Sequence, residues 1–442
     1  MLYLGKAFAT IYCVARVRAL EAVGCLEESS MDLAELKSLR QNLSPFLRRF
    51  KGCFKTQASR THLGTYVGGQ IGPLPRKSVE PMALEAGVAP RTLQEFLGLH
   101  QWDHEKMRRR VQQIVARDHA DENAIALIDE TSFAKKGNKT VGVQRQWCGS
   151  TGKTDNCVVS VHLGYATGNF HALLDGDLYL PESWHADRQR CREAGIPDEV
   201  VYRPKWKIAL ELLERAIANG VCFKYLGADE VYGGCAAFRN GVDALGFQYV
   251  VEVPRSRMGW TKRPKLEVPA YAGQGRPPTN RRRSKNAKAA RRLDQLWKRG
   301  GPSWQPFHIK NTQKGPVVWQ ARAVRFLPHE KGLPQEECWL IVARNVLDKE
   351  VKYFFSNAPA DTPVEVLLHV AFSRWHIERL FEDGKGEVGM DHFEVRHYLP
   401  FIRHLILSTV SYLYLEKQTQ RLGEKKSPVD HLPNQSRHRS AA

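Results

Sequence analysis

Three carboxylates in this 442-residue chain stand where side chains from separate elements can act together. Asp129 closes the run Ala124-Ile-Ala-Leu-Ile-Asp129, and Asp229 closes Lys224-Tyr-Leu-Gly-Ala-Asp229. Each run reads as a short buried strand with an acid at its C-terminal end, where a sheet holds a side chain rigidly. The third acid lies in a later helical stretch, 367–385. There Arg374, Glu378 and Lys385 fall on one stripe at 100° per residue. Glu382, one turn beyond Glu378, competes for the same role, and the helical pattern does not choose between them.

The chemistry that needs such a set is phosphodiester cleavage. Two Mg²⁺ ions about 3.5–4 Å apart require carboxylates from separate elements, one ion activating the nucleophile and the other stabilising the leaving oxygen. Arg and Lys beside them offset charge on the non-bridging oxygens, Arg through a bidentate fork. Each piece also has a plainer role: an Asp after a strand caps turns, and an Arg–Glu–Lys stripe is commonly a solvated face. What raises the first reading is charge. Lys and Arg number 66 against 47 Asp and Glu, a net +19, which calls for a polyanionic partner, nucleic acid first and an anionic membrane surface second.

The composition, with 42% hydrophobic and 26% charged residues, is globular and excludes a disordered or collagen-like chain. At roughly 150 residues per domain the length allows about three folding units. No stretch reads as a membrane span. The longest uncharged run, Asn156–Leu174, is broken by Gly164, Gly168, Asn169 and His171, and Leu405–Leu415 is too short to cross. Arg16, Arg18 and Glu21 follow the apolar patch Ala7–Ala15, so a signal peptide is not expected. Nine cysteines, an odd number with no C-x-x-C pair, fit a reduced cytoplasmic protein. With the basic charge, the expectation is a cytoplasmic protein associated with DNA.

The elements that must position the acids follow from periodicity. Residues 1–30 form a leader of uncertain standing, and Met31 is a second candidate start. Residues 31–120 are helix-rich and basic, with Arg48, Arg49, Lys51, Lys55, Arg60, Arg76 and Lys77, and read as a helical DNA-binding region. Within them Ala83, Gly87 and Leu93 have the spacing of a helix-turn-helix, or of an ordinary helical hairpin in a bundle. Residues 121–253 carry strands at 124–129, 141–147, 157–165 and 171–180, a helix at 205–219, the second acid-ended strand, a helix at 232–245 and a strand at 248–253. This is an α/β pattern, a mixed sheet flanked by helices. Residues 254–360 break the rhythm and read as a β-rich insertion. Its basic loop, Arg276–Arg299, holds ten cations and one acid, Asp294. Arg281, Arg282, Arg283 and Lys285 could track a DNA backbone. Trp260, Trp297 and Trp304 suit core packing or stacking on an extruded base. Residues 361–424 give two long helices, 363–388 and 400–422, and 425–442 form a basic tail without a core.

Several of these segments resemble bacterial insertion-sequence transposases of the DDE superfamily, and in particular insertion-sequence family 701. The likeness rests on Asp129-Glu-Thr, Lys136-Gly, Gly142-Val-Gln-Arg-Gln-Trp-Cys-Gly149 and Lys153-Thr-Asp-Asn-Cys157. Leu178-Tyr-Leu-Pro-Glu-Ser-Trp184, Ala228-Asp-Glu-Val-Tyr-Gly233 and the Arg-x3-Glu-x6-Lys spacing at Arg374, Glu378 and Lys385 add to it. The resemblance implies an RNase H-like catalytic domain with Asp129, Asp229 and Glu378 as metal-binding triad, and selects Glu378 over Glu382. It implies Arg374 and Lys385 as phosphate contacts and a mainly β insertion before the Glu. The expected cofactor is a pair of Mg²⁺ ions, with Mn²⁺ able to substitute. The expected partners are double-stranded DNA, as terminal inverted repeats and target, and a second copy of the chain on DNA. One departure is Ala371, which stands where the superfamily carries a Tyr. A nuclease that cuts without joining and a non-catalytic DNA-binding protein are the rival readings. His185, His376 and His392 show no zinc spacing. Tyr232 is placed to position Asp229.

Overall fold

The computed structural model describes residues 33–425, apart from 169, 272, 274, 275, 277, 298, 299, 313 and 314. The leader, Met31 and the tail after residue 425 lie outside the described residues.

Among the described residues five α-helices come first: α1 (Leu33–Arg48), α2 (Gln57–Ile71), α3 (Val79–Glu85), α4 (Pro90–Gly98) and α5 (His104–Asp118). Their starts follow from local chemistry. The Thr56 hydroxyl accepts the Ser59 N–H at the head of α2, Asp103 accepts the Lys106 N–H at the head of α5, and Pro90 occupies the first turn of α4. Between α3 and α4 the chain reverses at Gly87, whose φ of +69° is a conformation side chains disfavour. Ala83 and Leu93 are buried on either side of that turn, in the places the spacing assigns them. The end of α4 is docked against the long helix at 398–425, so the pair forms part of a packed bundle.

The sheet begins with β1 (Ile125–Ala134), β2 (Gln144–Cys148), β3 (Lys153–Thr167) and β4 (Phe170–Leu178). After α6 (Glu182–Ala186), α7 (Arg188–Glu193) and α8 (Lys205–Ala218) come β5 (Tyr225–Ala228), α9 (Glu230–Gly233), α10 (Ala236–Ala244) and β6 (Gln248–Glu252). The central order is β4–β3–β1–β5–β6, with β3 antiparallel to both β1 and β4, and β5 parallel to both β1 and β6. This is the RNase H-like mixed sheet. All four residues of β5 are buried, as a central parallel strand covered on both faces requires.

Apart from one short pair, the strands after residue 254 join this same sheet. They are β7 (Met258–Trp260), β8 (Leu266–Glu267), β9 (Arg282–Arg283), β10 (Arg291–Arg292), β11 (Gln305–Thr312), β12 (Gly315–Glu330), β13 (Leu333–Pro334), β14 (Cys338–Asn345) and β15 (Val351–Ser356). β15 pairs antiparallel with β6, and β14 and β12 follow outward, so the hydrogen-bonded order continues unbroken from β1 to β12. The short β8–β9 pair stands apart as a two-stranded sheet.

Three helices close the described residues: α11 (Val364–Ser373), α12 (Trp375–Val388) and α13 (Tyr398–Lys425). The helix expected to run unbroken over 363–388 divides at Arg374, where the Ser373 hydroxyl donates to the His369 carbonyl and competes with the helical ladder. Likewise the strand expected at 141–147 starts at Gln144, and the helix expected at 232–245 divides into α9 and α10. No helix among the described residues is long and apolar enough to cross a membrane.

α13 sits between the N-terminal bundle and the sheet, and every residue from 401 to 416 is buried. Its polar groups are all the more dependent on partners. Tyr66 Oη lies 2.8 Å from His404 Nδ1, Gln70 Nε2 donates to Ser408 Oγ at 2.9 Å, and Ser411 Oγ donates to Gln70 Oε1 at 2.8 Å. The Arg403 guanidinium donates to the carbonyls of Phe96, Leu97, His100 and Trp102, and stacks 4.5 Å over the Trp102 ring. Arg403 thus closes the C-terminal end of α4 with a side chain more than 300 residues away. Arg403→Met keeps much of the packing but leaves those carbonyls without donors. It is expected to lower unfolding free energy by about 2–4 kcal/mol in urea melts, and a change below about 0.5 kcal/mol would contradict this role.

Candidate active site

The last parallel rung between β1 and β5 pairs Ile128 with Ala228. Asp129 and Asp229 are the next residues on each strand, so they emerge side by side at one edge, on strands about 4.8 Å apart. Asp229 serves as N-cap of α9: its Oδ1 accepts the N–H groups of Val231 and Tyr232 at 3.0 and 3.4 Å. Asp129 Oδ1 accepts the Glu130 N–H at 2.8 Å, and its Oδ2 accepts Arg374 Nη1 at 3.0 Å.

Arg374 is the hub. Its other terminal nitrogen meets Glu378 Oε1 at 2.5 Å, so one guanidinium holds Asp129 from the sheet and Glu378 from α12. Glu382 instead pairs with Arg379 at 3.2 Å and is 72% exposed, well away from this junction. α12 lies close over the sheet where Gly164 faces it: a Cβ there would stand 3.1 Å from Leu380 Cδ1. Further along α12, Lys385 Nζ donates to the Ser132 carbonyl on β1 at 3.2 Å. The Arg374, Glu378 and Lys385 stripe therefore faces β1 despite the helix break.

Charge in this pocket is unbalanced. Burial first, and then Asp229, pushes the Asp129 carboxyl up to about 7. Burial and Glu130 push Asp229 up to about 6. Burial alone would weaken the Arg374 guanidinium's hold on its proton, yet Glu378, Asp129 and Asp229 outweigh it and raise its affinity. Asp129, Glu130, Asp229 and Glu378 make four carboxylates, against which the cations in contact are Arg374 and Lys205. A hard, oxygen-only donor set with surplus negative charge fits Mg²⁺ or Mn²⁺. The acids are spread around Arg374: among the described residues no three Asp, Glu, His or Cys side chains cluster tightly enough to enclose an ion.

The chain matches known proteins. Residues 49–316 match the family described as DDE superfamily endonuclease. The chain belongs to that family. This DDE endonuclease is also 28% identical over 336 residues to the probable transposase for insertion sequence element IS701 of Microchaete diplosiphon, covering 75% of each chain.

Other residues singled out in the sequence fall elsewhere. The Arg283 guanidinium is spent locally on the Ser284 and Ala287 carbonyls, while Arg281, Arg282 and Lys285 are exposed. Trp260 is buried with its indole N–H donating to the Lys288 carbonyl, and Trp297 and Trp304 both pack against Arg322, at 4.4 and 4.3 Å. Ala371 is buried. His376 stacks on His171 at 3.8 Å and His392 Nδ1 accepts the Lys77 N–H.

Tyr232 supports Asp229 through its backbone N–H, whereas its phenol donates to Glu130 Oε2 at 2.7 Å. Glu130 Oε1 takes Lys205 Nζ at 2.6 Å, fastening the head of α8 to the end of β1. Sequence reasoning missed this Lys205–Glu130–Tyr232 chain, whose only local sign was an acid directly following Asp129.

The raised Asp129 carboxyl has a thermodynamic consequence. Below pH ~4 folded and unfolded chains both carry the proton; above that only the folded chain retains it, until its own midpoint near 7. Stability from this group is therefore complete at low pH and lost as pH rises through 7. In EDTA, Asp129→Asn should melt higher than the parent at pH 8, by up to a few kcal/mol equivalent, with a smaller gap at pH 5. Equal gaps at both pH values in differential scanning calorimetry would contradict the assignment.

Proposed function

We propose that the chain is a DNA transposase that cuts at the ends of its element and joins the freed 3′ ends to target DNA. Membership of an endonuclease family and the likeness to a probable transposase support the class. The observation that carries the site assignment is Arg374 joining Asp129 and Glu378 while Asp229 stands on the adjacent strand. In this reading Asp129, Asp229 and Glu378 hold the ions. When bound, two Mg²⁺ ions, or Mn²⁺ in their place, activate the attacking oxygen and stabilise the leaving one.

The chain's own groups do the rest. Arg374, released from the acids, turns its fork to the non-bridging oxygens of the scissile phosphate. Lys385 holds a neighbouring phosphate along β1; burial lowers its proton affinity, and an anion beside it restores the charge. Glu130, fixed by Lys205 and Tyr232, keeps the sheet edge and α8 in register. In cutting, a water oxygen bonds to phosphorus, the P–O3′ bond breaks, and a 3′-hydroxyl is freed. In joining, that 3′ oxygen bonds to a target phosphorus and the target's own 3′ oxygen leaves. No protein–DNA covalent bond is required. The DNA partners are terminal inverted repeats and target duplex, with Arg281, Arg282 and Lys285 available to the backbone. Two ends must meet, so the working form is a homodimer on DNA.

Incubation with end-containing duplex and Mg²⁺ should yield joined products, and EDTA should abolish them. Cut-only products would favour a nuclease, and a mobility shift without cleavage a binding protein. Asp129→Asn, Asp229→Asn or Glu378→Gln should each lower cutting on the order of 10³-fold with binding retained. Glu382→Gln should stay within about twofold of the parent. Full cutting by the Glu378 variant together with loss in the Glu382 variant would exchange the two assignments.

A further inference from the structure

The described N-terminal bundle carries a strongly cationic trough some distance from the acids. A cavity of about 510 Å³ is lined by Arg48, Arg49, Lys51, Lys106, Arg109 and Arg110, with no acidic residue on its wall. Arg49 is committed to Asp118 at 2.7 Å, and Arg110 donates to the Arg49 carbonyl and to Gln113. Arg48, Lys51, Lys106 and Arg109 are all exposed. The trough opens across Gly52 into a wider groove of about 1160 Å³, also lined by Arg48, Lys51 and Arg60 and also without an acid. Cations gathered in a concavity repel one another, and the arrangement is relieved when an anion enters.

We propose that this trough grips the phosphate backbone of duplex DNA, with Lys51, Lys106 and Arg109 as its principal contacts; the proposal rests on the reading of the chain as a DNA-acting enzyme. Exposed Lys and Arg without base-reading geometry suit backbone contact, which gives affinity and register while carrying no sequence information. The place of the trough sets its distance from the acids. Asn219, the C-cap of α8, lines it, while Lys205 at the head of α8 contacts Glu130 beside Asp129. The 14 residues of α8 span about 21 Å. At about 3.4 Å per base pair, that length equals roughly six base pairs of duplex. The trough therefore holds the duplex flanking the cut, leaving the reacting phosphate to the acids.

The test uses the full chain carrying Lys51→Gln, Lys106→Gln and Arg109→Gln together, in EDTA, with a 30-base-pair duplex as probe. Because all three side chains are exposed, the melting temperature should stay within a degree or two of the parent. Three lost phosphate contacts should flatten the slope of log K against log[KCl] by about 2.7, and cost about 10–100-fold in affinity near 0.1 M salt. A control variant, Lys331→Gln, should leave the slope unchanged. An unchanged slope in the triple variant would overturn the trough. Cutting at saturating duplex keeps its kcat if the trough only grips, so a kcat loss matching Asp129→Asn would overturn the proposed division of labour. Loss of cutting in Asp129→Asn separately tests the enzymatic reading and is independent of the slope.

Discussion

One guanidinium sets the geometry of this molecule's acidic edge. Arg374 touches a carboxylate on the central strand and another on the helix above, and it feels a third on the neighbouring strand. Without it, Asp129 and Asp229 would face each other across one strand spacing in a poorly solvated pocket, a costly arrangement for two anions. Arg rather than Lys is required, because two acceptors on different elements are met by two nitrogens of one planar fork. The same residue ends α11 and begins α12, so the division of the helix and the placement of charge meet at one position.

The fold supplies the stage for that contact in layers. Parallel pairing of β1 with β5 fixes the two aspartates at equal height, and antiparallel β3 supports the other side of β1. Gly164 on β3 admits α12 to close range. Behind the sheet a second ionic system ties β4 to α5 and α8: Asp175 takes Arg215 Nε at 2.9 Å and Gln112 Nε2 at 3.1 Å, and Asp177 takes Arg203 at 3.2 Å. Buried ion pairs of this kind add little net stability, but losing one partner strands the other, so they enforce a single seating of helix on sheet.

Much of this was legible in the chain itself, and the limit is physical. An apolar run ending in Asp states its own role locally, which is why both strand-end acids could be found. The stripe of Arg374, Glu378 and Lys385 was readable because helical period survives a mild break between αR residues. Periodicity leaves Glu378 and Glu382 equivalent; what distinguishes them is that Glu378 pairs with Arg374, which also reaches Asp129, 245 residues earlier in the chain, and periodicity holds no such information. The same holds for Arg108, Arg109 and Arg110, consecutive and chemically alike: the first is buried against Asp175, the second exposed, the third bent to a carbonyl. The sheet's continuation through β15, β14 and β12 was likewise hidden, since a strand's pattern shows which face it buries and not which neighbour it joins.

The dependence of the first helices on α13 carries a consequence for synthesis. Trp102 and Arg403 are 301 positions apart, and the donors that complete the end of α4 belong to a segment made long after it. At roughly 5–20 residues per second, the bundle waits about 15–60 s on the ribosome before its last wall arrives. During that interval Phe96, Leu97 and Trp102 lack the helix that covers them in the finished molecule. A nascent chain is thus most vulnerable to chaperone capture and proteolysis at its beginning, and matures only as its final long helix slots in.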